Sequence, residues 1–459
     1  MGYFRRRIDD ELLEWKNAQR RKPLLVRGAR QVGKSWAIHH LGESFSYYIE
    51  VNFETNPDLK SVFEQEHDVK KICDRLSIIF SIPILPGETL LFLDEIQACP
   101  EALKSLWSFK ENLSELHVVA AGSLLEFALK EMPSYGVGRV SSLFMYPMSF
   151  DEYLWALGKD EWQRALKDAN SEQPLFETLY KELVNAFRIF LLVGGMPASV
   201  AAWVETRDFR NCTIELADIQ QTYYDDFKKY SGKISTELLR NTLQSVIAQT
   251  GGKFTYSRVP GSHSIEDVKR ALSLLSDAGL IKTVRHTAAN GLPLGGEINE
   301  KFTKYLYLDT GLWLRVLDLD FGGAQSINEL ILTGSQEDLV NKGKLAELSA
   351  GWEMVKAADS RHRYELYYWE NLSKGTTSEV DYIIPYRLKV LPIEIKSGTS
   401  GKMKSLRLFL EKKDLSRGIR SSLENFGLLT YEADGNKREI EIIPLFAIGR
   451  LTQPSSFKP

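Results

Sequence analysis

Residues Gly28-Ala29-Arg30-Gln31-Val32-Gly33-Lys34-Ser35 satisfy the spacing G-x-x-x-x-G-K-[ST]. That spacing builds a phosphate cradle from a glycine-rich turn opening a helix. Gly28 and Gly33 permit backbone conformations that a Cβ would obstruct. Lys34 is expected to reach the β- and γ-phosphates of a nucleoside triphosphate, and the Ser35 hydroxyl to ligate Mg²⁺. Ala29, Arg30, Gln31 and Val32 complete the loop and Trp36 follows it, so these residues are counted with the binding segment. Downstream, Asp94-Glu95 closes an apolar run. Asp94 is expected to hold the Mg²⁺ directly or through water. Glu95 is placed to orient or deprotonate an attacking water. Near the other end of the chain, Asp381, Glu394 and Lys396 form a second set with chemical potential. Two carboxylates and an amine suit a hard cation and activation of a water molecule.

The elements that must position these residues are legible around them. Pro23–Val26 reads as a buried strand and Trp36–Leu41 as a helix, so the loop aims backbone N–H groups and a positive helix end at an anion. Thr89–Leu93 is continuously apolar, as strands buried on both faces are, and catalytic groups of open α/β sheets lie at such carboxyl ends. Tyr47–Phe53 and Leu116–Ala121 are further strand candidates. Ser123, just past the second, is expected to sense the γ-phosphate or to N-cap the segment Leu124–Lys130, and the two roles are compatible.

These strings resemble a prokaryotic group of AAA+ ATPases. The resemblance lies in Arg27–Ser35, in Leu-Asp-Glu-Ile-Gln at 93–97, in Ala-Gly-Ser-Leu-Leu at 121–125, in Gly138-Arg139, and in Tyr-Pro-Met-Ser-Phe-Asp-Glu-Tyr at 146–153. It continues in Leu-Val-Gly-Gly-Met-Pro at 192–197 and Tyr-Leu-Tyr-Leu-Asp-Thr-Gly-Leu at 305–312, in what would be a following domain of unknown function. The resemblance implies ATP and Mg²⁺ as cofactors and a homo-oligomer, with a hexamer among its forms. It also implies an arginine supplied by a neighbouring subunit. Arg139 is the candidate, with an ordinary surface arginine or a structural ion pair as the alternative reading. Arg30 is left between a phosphate contact and a contact to a neighbour.

From Asp151 to about Tyr230 the apolar spacing is helical, suited to a lid after the core, and it breaks at Gly194-Gly195-Met196-Pro197. Residues from about Ile234 to Leu312 read as helices, then two strands, Leu280–Val284 and Lys304–Leu308, flanking a glycine-rich loop. This resembles a winged helix. The helix Ser264–Asp277 offers Lys269 and Arg270 to phosphates. It also carries Glu266, Asp267 and Asp277, which favours a structural or protein-binding role over sequence-specific DNA reading.

In the last stretch, strand-like Glu379–Pro385 and Leu391–Lys396 are joined by a turn at Tyr386–Lys389. Side chains alternate along a strand, so Glu394 and Lys396 share a face that Asp381 can meet. This resembles the PD-(D/E)xK nuclease family, and Glu347, on a helix from Lys342 to Trp352, resembles the glutamate that family draws from its first helix. Val380 stands where the family pattern has a proline.

The expected fold is therefore α/β. An AAA+ P-loop parallel-sheet core (1–155) is followed by a helical lid (156–232), a winged-helix-like part (233–320) and a restriction-endonuclease-like α/β domain (321–459). The expected activity is ATP hydrolysis coupled to a Mg²⁺-dependent DNA nuclease-like domain. The alternative is an ATP-dependent switch whose C-terminal domain binds nucleic acid or a partner protein without cleaving.

Bulk properties agree. The 459 residues exceed one ordinary core, and 43% hydrophobic with 26% charged residues is the balance of globular protein. A net charge of −3 gives no global field for nucleic acid, so any DNA partner requires a local basic patch. Cys73, Cys99 and Cys212 form no metal or redox pattern, which suits a reducing cytoplasm. No signal-peptide h-region is read after the basic start, and no apolar stretch approaches the ~18 residues of a membrane span.

Overall fold

Thr89–Asp94 and His117–Ala121 are buried along their whole lengths, as the apolar runs Leu90–Leu93 and Val118–Ala121 within them require of central parallel strands. The computed structural model describes residues 2–123, 125–131, 138–230, 234–317, 342–371, 378–398 and 403–454. These fall into two compact units. The first holds residues 1–146, 277–279 and 360–363, and the second holds 147–276, 280–359 and 364–459.

The first unit is a five-stranded parallel sheet built from β1 (Leu24–Arg27), β2 (Tyr47–Asn52), β3 (Thr89–Asp94), β4 (His117–Ala121) and β5 (Ser141–Phe144). The order is β2-β3-β4-β1-β5, so β4 inserts between the strand leading into the phosphate loop and the strand ending in Asp94. Register aligns Asn52 with Asp94 across β2 and β3. Leu25, Val51, Leu93, Val118 and Ala120 pack with Phe53, Phe63 and Phe109 in a single apolar core.

The second unit begins with helices. Glu177–Val193 stops at Gly194, which adopts φ 72°, a left-handed backbone that favours glycine. Three strings singled out in the sequence interlock here. Asp309 accepts from the Gly195 N–H at 2.7 Å and caps the helix Thr310–Val316 through the Leu312 N–H at 3.1 Å. The Met148 N–H donates to the Gly195 carbonyl at 2.6 Å. A Cβ on Gly194 would lie 2.2 Å from Asp309 Oδ1, and one on Gly195 would lie 2.2 Å from the Met148 carbonyl. The glycines are thus required by close approach of three segments.

The hairpin of β6 (Ile281–Thr287) and β7 (Ile298–Tyr307) does not stand apart as a wing. Its β6 pairs in parallel with β8 (Leu366–Glu370), joining a mixed sheet of eight strands. The others are β9 (Glu379–Tyr386), β10 (Lys389–Ile395), β11 (Arg417–Ser422), β12 (Gly427–Ala433) and β13 (Asn436–Pro444), in the order β12-β13-β11-β10-β9-β8-β6-β7. A boundary near residue 320 therefore does not separate two sheets, because pairing with β8 satisfies the backbone groups that a free wing would expose. The proposed boundaries at 232/233 and 320/321 themselves lie outside the described residues. The compact units divide at 146/147, ahead of the expected 155/156. Among the described residues no helix is long and apolar enough to cross a membrane.

Candidate functional site

The phosphate loop leaves β1 through Gly28, at φ 150°, where a Cβ would lie 2.1 Å from the Met145 carbonyl. Gln31 and Gly33 follow with φ 63° and 97°, and the helix Lys34–Gly42 starts at once. Its leading N–H groups have no partner within the helix, which makes this end an anion cradle. Arg6, buried, ties the loop down by donating to the Val32 carbonyl at 2.8 Å. Ala29 and Val32 are buried, Arg30 stands 4.0 Å from Glu54, and Trp36 is exposed.

Lys34 Nζ donates to the carbonyls of Gly28 at 3.0 Å and Ala29 at 2.8 Å, curled over the loop. Burial pulls its pKa down to about 8, against the opposing pull of Glu95 and Asp94. Ser35 Oγ donates to Asp94 Oδ2 at 3.1 Å, and Asn52 Nδ2 donates to the same oxygen at 3.2 Å. Burial, then the neighbouring Glu95, raises Asp94 to about 6. The Ser35–Asp94 oxygen separation is close to the ~2.9 Å edge of an octahedron with ~2.05 Å metal–oxygen bonds. A buried carboxylate held up in pKa beside a hydroxyl at that spacing fits Mg²⁺.

Glu95 itself has φ 48°. Its Oε2 accepts from Gln97 Nε2 at 2.6 Å and from both the Ser123 N–H and Oγ at 3.2 Å. Burial works to raise its pKa, but these donors together with the Lys34 and Arg30 charges hold the carboxyl below its ordinary range. Gly122 makes room for this arrangement, since a Cβ there would lie 1.9 Å from Gln97 Oε1. Ser123, read in the sequence as γ-phosphate sensor or helix cap, here positions Glu95. Leu124 lies outside the described residues, and the helix runs Leu125–Glu131. Arg139 forms an ion pair with Glu111 at 2.7 Å and lies over the Trp107 ring, so within one chain it makes the structural pair of the alternative reading.

The second constellation is denser than the sequence indicated. Glu347 comes from the helix Lys342–Ala357, Glu379 and Asp381 from β9, and Glu394 from β10. Carboxylate oxygens of Glu347, Glu379 and Asp381 lie within 4.8 Å of one another. Asp381 Oδ2 accepts from the Ile395 N–H at 2.7 Å. Lys396 Nζ donates to Glu394 Oε1 at 2.6 Å, while the buried Glu394 Oε2 has no hydrogen-bond partner. Burial raises Glu347, Asp381 and Glu394 alike, Lys304 opposing it at the first two and Lys396 at the last.

Lys304, fully buried on β7, was not singled out in the sequence. Its Nζ donates to Glu347 Oε1 at 2.8 Å and also pairs with Glu379. Burial opposes the charge, yet the Glu347 and Glu379 carboxylates hold its pKa above the ordinary range. Its signal was available: Lys304 and Leu306 alternate onto one face of β7. Asn52 and Gln97 were also missed, each a polar residue beside an apolar strand end. The C-terminal carboxylates include the right donors for Mg²⁺, but an ammonium already sits on two of them. As arranged, this cluster does not fit a divalent ion.

Residues 20–154 match the family model described as AAA domain. Residues 184–321 and 342–447 match models of two domains of unknown function, DUF8612 and DUF4143. No curated protein matches the chain. Solved structures similar to it include the Walker-type ATPase PABY2304 of Pyrococcus abyssi, at 14% identity over 69% of this chain and 96% of that one, TM-score 0.43. The Aeropyrum pernix ORC1 protein in complex with DNA is similar at 14% identity, over 68% and 91%, TM-score 0.27. The S. cerevisiae Hsp104–ADP complex is similar at 11% identity, over 60% and 38%, TM-score 0.28. The AAA domain match over residues 20–154 encloses the complete phosphate loop Gly28–Ser35 and the Asp94-Glu95 strand end.

Proposed function

We propose that this chain binds Mg²⁺-ATP at Gly28–Ser35 and hydrolyses it, and that the nucleotide cycle switches the state of the C-terminal part. The carrying observation is Glu95, fixed by Gln97 and Ser123 beside the Ser35–Asp94 pair. Lys34 would exchange its loop carbonyls for phosphate oxygens. Ser35 and Asp94 would hold Mg²⁺, which when bound neutralises charge on the β- and γ-phosphates. Glu95, kept ionised by its donors, would orient the attacking water and take its proton. Glu95→Gln is expected to retain ATP without turning it over and Lys34→Ala to lose binding, both read by filter binding and phosphate release. Rapid turnover by either variant would refute the assignment. Arg139 would serve a neighbouring subunit only after releasing Glu111. Light scattering that finds no mass increase on adding ATP would count against that role.

For the C-terminal part the reading favoured is the switch without cleavage, because Lys304 occupies two of the carboxylates. The nuclease reading is supported by Asp381, Glu394 and Lys396 on neighbouring strands and by Glu347 beside them. DNA as a partner belongs to both readings. Incubation of wild type and Asp381→Ala with DNA and Mg²⁺ separates them. Cleavage by wild type alone favours the nuclease, and no cleavage by either favours the switch.

A further inference from the structure

We infer that Lys304 is a tethered cation standing in for a divalent ion among Glu347, Glu379 and Asp381, so that the cluster takes such an ion only when the amine is removed. The Lys304 ammonium is fully buried and bonded to carboxylates from two separate elements, the helix Lys342–Ala357 and β9. It also lies over the Tyr368 ring, 4.9 Å from its centre, which gives the cation a third wall. These two carboxylates and that of Asp381 converge within 4.8 Å, a spacing that unneutralised anions would resist. Glu394 Oε2 is buried and has no hydrogen-bond partner, and unpaired buried carboxylate oxygens are costly.

Lys304 rides on β7, which ends the strand order and pairs with β6 alone among the described strands. Every carboxylate of the cluster on a strand sits on an interior one. The loop after the helix Thr236–Gln249 closes over the same point. Gly251 has φ 78°, and a Cβ there would lie 3.1 Å from Glu347 Oε2.

The test counts Mn²⁺ bound to the full nucleotide-free chain by electron paramagnetic resonance. Wild type, Asp381→Asn, Lys304→Arg, Lys304→Gln and the double variant Lys304→Gln/Asp381→Asn are compared. The first three are expected to bind equal numbers of ions. Lys304→Gln is expected to gain one ion per chain and the double variant to lose that gain. An ion on wild type that Asp381→Asn removes, or no gain in Lys304→Gln, overturns the inference. If Lys304→Gln fails to fold in metal-free buffer, Mn²⁺ is expected to restore its folded circular-dichroism spectrum, and failure to do so at millimolar Mn²⁺ overturns it equally. The inference shares its residues with the nuclease reading but rests on ion counts. DNA cleavage by the Mn²⁺-loaded variant reports on that other reading separately.

Discussion

Gln97→Ala removes the shortest hydrogen bond on Glu95 while leaving the phosphate loop and the Ser35–Asp94 pair untouched. A hydrogen bond to a charged group contributes ~1.5–3 kcal/mol. Glu95 is only partly buried, so the lower end applies. If that energy positions the carboxylate in the transition state, kcat falls roughly tenfold at ~1.4 kcal/mol per decade, with nucleotide affinity unchanged. Glu95→Gln, which removes the carboxylate proposed as the base, is expected to lose ~10²–10⁴ in kcat. The donors hold the Glu95 carboxyl below its ordinary range, so removing one raises its pKa. The acid limb of the kcat profile therefore moves to higher pH in Gln97→Ala. Gly122→Ala is expected to reproduce both effects, since its Cβ would displace the Gln97 side chain. The assay is steady-state phosphate release from pH 5 to 9, with affinity measured separately by a fluorescent nucleotide. Wild-type kcat and an unmoved acid limb in Gln97→Ala would show that Gln97 does not position Glu95.

Other perturbations follow from the same structure. His117, 5% exposed at the start of β4, has its pKa pulled down to about 4 by burial, against a backbone hydrogen bond to the Lys16 carbonyl. A depressed folded pKa gives stability that is present above the ordinary value near 6.5 and is lost as pH falls toward 4. His117→Gln should therefore remove ~2–3 kcal/mol of pH-dependent stability across that window, measured by urea unfolding at pH 7 and 4.5. Identical pH slopes in the two proteins would refute it. Asp309→Ala should cost ~3 kcal/mol by orphaning the Gly195 and Leu312 N–H groups. Asp309→Asn should cost less because one acceptor remains, and equal losses on chemical denaturation would contradict the interlock. Gly28→Ala should abolish nucleotide binding through its clash with the Met145 carbonyl, and retained affinity would show that the loop relaxes.

Local order in the chain determined the first site. The phosphate loop, the strand before it, the helix after it and Asp94-Glu95 at the end of an apolar run are all contiguous, and contiguous residues carry their geometry in their spacing. Asp381, Glu394 and Lys396 were legible for the same reason, since strand alternation and a short turn bring them near one another. The helical stretch and its glycine break were legible through their period. The two glycines at 194 and 195 were visible, but their purpose was not, because it depends on Asp309 and Met148, far away in sequence.

Tertiary structure decided what surrounds each charge. Insertion of β4 between β1 and β3 brings Gly122 and Ser123 to Glu95, and no local pattern encodes that neighbour. Joining β6 to β8 converts an expected independent wing into part of an eight-stranded sheet. It also carries Lys304 into a carboxylate cluster whose other members lie much further along the chain. Which strand pairs with which is set by burial of faces and satisfaction of ladders across the whole sheet. The sequence therefore named the groups able to do chemistry, while strand pairing determined whether each meets a neighbouring hydroxyl, a backbone N–H or a buried lysine.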